Sequence, residues 1–266
     1  MSTTPATRTS RRPLRVDILT LVKENLVRYW ILLFIAFGLL WIGLPWMAPV
    51  LMRLGWENAA NAIYTFYSFQ CHQLPQRSFF LFGPQTMYSL DQLKSVGVDT
   101  SDILALRAFI GNTELGYKVA WSDRMVSAYG SIPLLALLWW PFRKRIKALP
   151  ILGFFLLIIP IVLDGGSHFI SDLAGTGMGF RYTNDWLATL TNNILPVTFY
   201  SGNALGSFNS WMRLITGTLF GIAVVWLAFP YVYNIGIESI SLRSSSYKAV
   251  RQEVDGEKTN PGGSSG

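Results

Sequence analysis

Cysteine, histidine and charge are all scarce in this chain. A single cysteine, Cys71, excludes an intrachain disulfide. The two histidines, His72 and His168, leave little material for a histidine-rich metal centre. Charged residues make up 14% of the 266 positions, where a soluble domain carries about 25%. With 51% hydrophobic residues, the chain is neither an ordinary soluble enzyme nor a disordered polypeptide. Several catalytic signatures are also missing: the phosphate-binding P-loop, the dinucleotide G-x-G-x-x-G, the G-x-S-x-G elbow, H-E-x-x-H, C-x-x-C and C-x-x-C-H.

What is present is long charge-free sequence. Uncharged stretches fill positions 29–52, 125–142, 148–163 and 214–237. A membrane-spanning helix needs about 20 apolar residues, so the first, second and fourth stretches suffice. The third, Ala148 to Leu163, covers only about 24 Å at roughly 1.5 Å per residue. It must borrow Gly165, Gly166, Phe169 and Ile170 to cross. The first run is longer than the about 7–15 residues of a signal h-region and ends in Pro45-Trp46-Met47, so it reads as a retained anchor. These features predict an all-α, polytopic integral membrane protein with four transmembrane helices. The bilayer is its first partner.

Lysine and arginine set the expected orientation. They crowd residues 1–28 (six), the link Arg143–Lys147 (four) and the tail after the last span (four). The loop from Asp164 to Met212 has only Arg181. The longer loop from Arg53 to Arg124 has six, spread over many more residues. The positive-inside rule therefore predicts a plasma-membrane protein with both termini cytoplasmic. Trp30, Trp46, Trp139, Trp140 and Tyr231 lie near span ends, as interfacial anchors do. The net charge of +7 is a topology signal drawn to anionic lipid, and no nucleic-acid motif accompanies it.

Three regions follow. Residues 1–28 form a cytoplasmic basic segment, polar from Ser2 to Arg12 and then a basic amphipathic helix from Leu14 to Trp30. Residues 29–237 form the membrane domain, with extracytoplasmic loops 54–123 and 164–212. Residues 238–266, rich in Ser, Gly and charge, form a flexible tail. Both loops are too apolar for plain connectors. Asn58–Phe69, Asp102–Ile110 and Thr183–Leu195 each predict a short interfacial helix, and together these form a cap. A near-repeat relates Asn184-Asp185-Trp186 to Asn209-Ser210-Trp211.

Chemistry-bearing residues concentrate on the cap side. Cys71, His72 and Arg77 share one segment, with Pro75 to turn it. A helix running through Asp164 would place His168 and Asp172 on the same face. An ionisable residue such as Asp164, at the edge of the hydrocarbon, is a candidate by its cost alone. Thiolate, imidazole and carboxylate at Cys71, His72, His168 and Asp164 suit zinc or copper, against the alternative of a packed thiol and structural histidines. Arg181 follows Gly175, Gly177 and Gly179, a loop suited to an anion. Arg77, Lys118, Arg124, Arg181 and Arg213 are the cations of this side, and each can instead pair with an acid such as Asp123 or Asp185.

Three segments in order resemble the prokaryotic membrane-protein family called domain of unknown function 2085. They are Cys71-His72-Gln73-x-Pro75-x-Arg77-Ser78-Phe79, Gly116-Tyr117-Lys118-Val119-Ala120 with Arg124 and Tyr129-Gly130, and Asp164-Gly165 followed by Gly179-x-Arg181 and Arg213-x-x-Thr216-Gly217-x-x-Phe220-Gly221. The resemblance covers about residues 60–230. It departs at Gln76 (Glu in the family), Ser122 (Cys), Met125 (Asp) and His168 (Gln). The resemblance implies an architecture and brings no established activity. Two readings follow. One is an accessory or binding component with a polar extracytoplasmic pocket, working alone, as a homo-oligomer or in a larger membrane complex. The other is an enzyme acting on a lipid or prenyl-type phosphate at the outer interface. In either reading, Cys71, His72, Arg77, Asp164 and His168 are expected to converge.

Overall fold

The computed structural model describes residues 18–259. In chain order these form α1 (Ile18–Arg53), α2 (Glu57–Tyr67), a 3-10 turn (Pro75–Arg77), β1 (Ser78–Leu81), α3 (Leu90–Ser95), α4 (Ile103–Ala108), β2 (Gly111–Asn112) and β3 (Gly116–Ser122). They continue with α5 (Asp123–Trp139), α6 (Ile151–Asp172), α7 (Phe180–Thr183), α8 (Asp185–Leu190), α9 (Val197–Tyr200) and α10 (Phe208–Thr259). Among the described residues, four segments are long and apolar enough to cross a bilayer: Tyr29–Arg53, Asp123–Phe142, Ile151–Asp172 and Phe208–Glu238. The third does borrow past Leu163, running through Gly165 and Gly166 to Asp172. Large apolar side chains such as Phe37, Leu40, Leu138, Leu156 and Leu163 stay exposed along these helices, as lipid contact requires.

Two compact units divide the chain. One consists of the described residues of 1–33 and 234–266, which are the ends of α1 and α10. There the backbone differs from the sequence reading. Residues 18–28 continue the first span as one helix, and α10 stays helical to Thr259 where a flexible tail was expected. From Ser239 to Thr259 the chain has one glycine and no proline, so local propensity does not stop the helix. The expected polar start at Ser2–Arg12, the beginning of the amphipathic helix before Ile18, and positions 260–266 lie outside the described residues.

The second unit is Phe34–Tyr233. Its spans pack through small residues and aromatic edges. Gly217 and Gly221 of α10 face Ser127 and Ser131 of α5 so closely that a Cβ at either glycine would strike the serine hydroxyl. Gly38 of α1 rests on Pro133 of α5. Phe229 of α10 meets Phe34 of α1 and Trp139 of α5 edge-on.

The cap is more ordered than interfacial helices alone. α4 and α8 fall within two of the predicted helical segments, and α2 overlaps the third, starting one residue before it. A three-stranded antiparallel sheet, in the order β1-β3-β2, was not anticipated by the all-helical reading. β3 is buried along nearly its whole length and runs directly into α5, so the sheet is tied rigidly to the second span. Tyr64, Tyr67 and Cys71 at the end of α2 pack with Val119, Ala120 and Trp121 of β3 and Ala48 of α1. A second core, formed by Leu74, Phe80, Tyr88, Leu90, Leu93, Leu106 and Leu115, lies wholly in the cap. α3 begins with a reciprocal Ser89–Gln92 capping box, and Asp102 caps α4.

Candidate functional site

The segment after α2 bends sharply at Gln73, whose φ of 52° is left-handed. A residue with a side chain adopts this at a cost of roughly 1–2 kcal/mol. Hydrogen bonds hold it there. The Gln73 amide N–H donates to Cys71 Sγ at 3.3 Å, and its side chain donates to the Tyr64 carbonyl at 2.8 Å. Its own carbonyl accepts from Lys118 Nζ at 2.8 Å. The Ser122 amide also donates to Cys71 Sγ, at 3.4 Å. The sulfur thus accepts from two backbone amides, while His72 beside it turns to the exterior.

Lys118 is fully buried on β3 and donates to the carbonyls of Gln73 and Arg107, both at 2.8 Å. Burial pushes its ammonium down to about 7; nearby Cys71 opposes that shift and Arg107 adds to it. Burial, with Tyr117 adding to it, raises the Tyr64 phenol, whose hydroxyl donates to the Lys118 carbonyl.

Where the cap meets the spans, arginines and aspartates interlock. Asp164 accepts from Arg124 at 2.7 Å and from Arg181 at 2.6 Å, one arginine on each oxygen. His168, one turn along α6, lies 3.2 Å from Arg181 Nη2 and 3.9 Å from Asp164. Arg77 reaches Asp172, a further turn along, at 2.8 Å. Arg213 forms a two-pronged pair with Asp123 at 2.7 and 2.8 Å and also holds Asn203. Geometry of this kind is what lets a buried arginine offset its desolvation. The near-repeat acquires a role here. Asn184, itself left-handed, and Asn209 both donate to the Arg181 carbonyl, and both are fully buried. At Gly179 a Cβ would collide with Ser171, so α7 can lie directly on α6 only with glycine there.

Two neighbouring cavities open on this network. The larger has a volume of about 350 Å3. Cys71, His72, Arg77, Arg124, Asp172 and Arg213 provide its polar lining, and Leu74, Ile103, Met125, Phe169 and Leu173 its apolar wall. The smaller, of about 30 Å3, is bordered by Gln76, Arg77, His168 and Arg181 among others. Of the predicted site residues, Cys71, His72 and Arg77 share the larger cavity, Arg77, His168 and Arg181 share the smaller, and Asp164 braces the arginines behind them.

The zinc or copper set of Cys71, His72, His168 and Asp164 is not assembled. Among the described residues, no three histidine, cysteine or acidic side chains are grouped to hold a metal ion. Both Asp164 oxygens are engaged by arginine, and one His168 nitrogen accepts from Arg181. Such a cationic setting opposes a metal cation. Arg181 pairs with Asp164 rather than Asp185, whereas Arg213 does take Asp123. Sequence reasoning named Arg124, Arg213 and Lys118 only as cations of this side and gave Asn203 no part. Charges at the very ends of apolar runs were the available signal.

No family model matches the chain, and no solved structure matches it. Over 182 residues the chain is 25% identical to an uncharacterized protein of Methanocaldococcus jannaschii, a match covering 65% of this chain and 94% of that protein.

Proposed function

We propose that this chain is a plasma-membrane binding component with both termini cytoplasmic and its cap outside. Its larger cavity takes an amphiphile with an anionic head, a lipid or prenyl-type phosphate. One observation carries the reading: at the membrane end of the cap, a cavity of about 350 Å3 is lined both by Arg77 and Arg124 and by Met125, Phe169 and Leu173. A phosphate needs the guanidinium forks, and an attached hydrocarbon needs the apolar wall. Motif resemblance supports membership of the family called domain of unknown function 2085. Its four departures in this chain, Gln76, Ser122, Met125 and His168, all line the two cavities. Two of them replace an expected acid, which favours an anion. A binding role is preferred to a hydrolytic one because Asp164, the carboxylate such chemistry would draw on, has both oxygens committed to arginine.

Cys71 is the natural reporter, being the single thiol and part of the cavity lining. In detergent, a prenyl phosphate should slow its alkylation by a small neutral maleimide several-fold, and the matching prenyl alcohol should not. Arg124→Gln should weaken that protection. Equal protection by phosphate and alcohol, or none from either, would remove the reading.

A further inference from the structure

The smaller cavity contains an imbalance that the phosphate-head reading does not address. His168, Arg181 and Gln76 on its border are 3%, 7% and 2% exposed. His168 Nδ1, Arg181 Nε, Gln76 Oε1 and the Nε of neighbouring Arg77 are all buried without a hydrogen-bond partner. An unpaired buried polar atom costs about 1–3 kcal/mol, so four around one cavity point to something that belongs there.

Hydrogen-bond logic identifies what kind of group. A guanidinium can only donate, so Arg181 Nη2 donates to His168 Nε2 at 3.2 Å. The imidazole proton therefore sits on Nδ1. His168 Nδ1, Arg181 Nε and Arg77 Nε are then three N–H donors lacking an acceptor. Gln76 can join them, because rotating its amide exchanges oxygen for NH2. A water could accept from two of the donors but must also donate its own two hydrogens. Among the buried side-chain atoms left unpaired around it, donors outnumber acceptors by three to one, Gln76 Oε1 being the acceptor.

Charge agrees. Arg77, Arg124, Arg181 and Arg213 are answered by Asp172, Asp164 and Asp123, with Asp164 serving two arginines. One positive charge is left over, and largely buried charge is costly until it is balanced. The size also discriminates. About 30 Å3 exceeds the roughly 10–15 Å3 needed to seat one water, which leaves room for a single ion of halide size.

We propose that this cavity binds one small monovalent anion of halide size, held by His168 Nδ1–H, Arg181 Nε–H and Arg77 Nε–H. The Arg77–Asp172 pair borders both cavities, and halide binding is tested without any lipid.

The test uses the full chain in non-ionic detergent and gluconate buffer free of chloride. Sodium chloride or bromide should raise the unfolding midpoint saturably, by roughly 5–10 °C once the halide is about 100-fold above its dissociation constant. Gluconate and sulfate at equal ionic strength should not. His168→Leu should abolish the halide response, and His168→Gln, which restores an N–H, should recover part of it. Should His168→Leu fail to fold, wild-type crystals grown in bromide decide the matter. An anomalous peak between His168, Arg181 and Arg77 supports the site. Absence of that peak, or a midpoint rise equal in chloride and gluconate, overturns it and leaves the cavity to water.

Discussion

At the scale of single residues, Lys118 is a costly placement outside the spans. A lysine in a strand buried on both faces gives up hydration for two backbone carbonyls, and its ammonium falls from the ordinary 10.5 to about 7. A neutral amine still has hydrogens for both carbonyls, so the bonds survive deprotonation. Between those two values the unfolded chain holds a proton that the native chain has released. Unfolding then takes up a proton, and stability must rise with pH across that window. Lys118→Met should flatten the rise, which amounts to about a few kcal/mol in the limit. Midpoints measured from pH 6.5 to 10 would show this, with both proteins in a Cys71→Ser background to remove the neighbouring thiol. Equal slopes in the two proteins would mean that Lys118 stays charged and that the two carbonyls outweigh its burial. The same lysine fixes Gln73 in its left-handed turn and so sets where the Cys71 thiol lies.

At the scale of elements, the contact between α5 and α10 places Arg124 and Asp123 opposite Arg213. Gly217-x-x-x-Gly221 lies on Ser127-x-x-x-Ser131 with no space for a methyl group. Gly221→Ala should therefore force the helices apart, lower the unfolding midpoint and loosen the Asp123–Arg213 pair above. Adding Ser131→Gly, which removes both the hydroxyl and the Cβ 3.0 Å from the added methyl, should restore most of the loss. A silent Gly221→Ala would show that the interface can shift freely. This contact also explains what the sequence made legible. Long charge-free runs and short aromatic helices are local patterns, and they predicted the spans, α2 and α4. The sheet was hidden because β1 and β3 are short and pair across more than thirty intervening residues, so no local period marks them. The site was half legible for a similar reason. Asp164, His168 and Asp172 were readable as one helical face. That Arg124 and Arg181 would arrive from two other elements to occupy Asp164, displacing any metal, depends on packing alone. His72 and His168 look alike in sequence, yet one is exposed and the other is 3% exposed among arginines.

At the scale of the whole molecule, the binding reading depends on which side of the membrane the cap occupies. Four spans put the Arg143–Lys147 link on the side opposite the loops that carry the cap. That link has four cations in five residues, whereas loop 164–212 has Arg181 alone. Lysine and arginine, which retain a short loop in the cytoplasm, are therefore densest at the link. The single cysteine makes this directly testable in intact cells. In a Cys71→Ser background, His72→Cys should react with a membrane-impermeant thiol reagent added outside, since position 72 is exposed on the cap. Lys144→Cys in the same background should react only after permeabilisation. The reverse pattern would place the cap in the cytoplasm, and its ligand would then have to come from the inner leaflet.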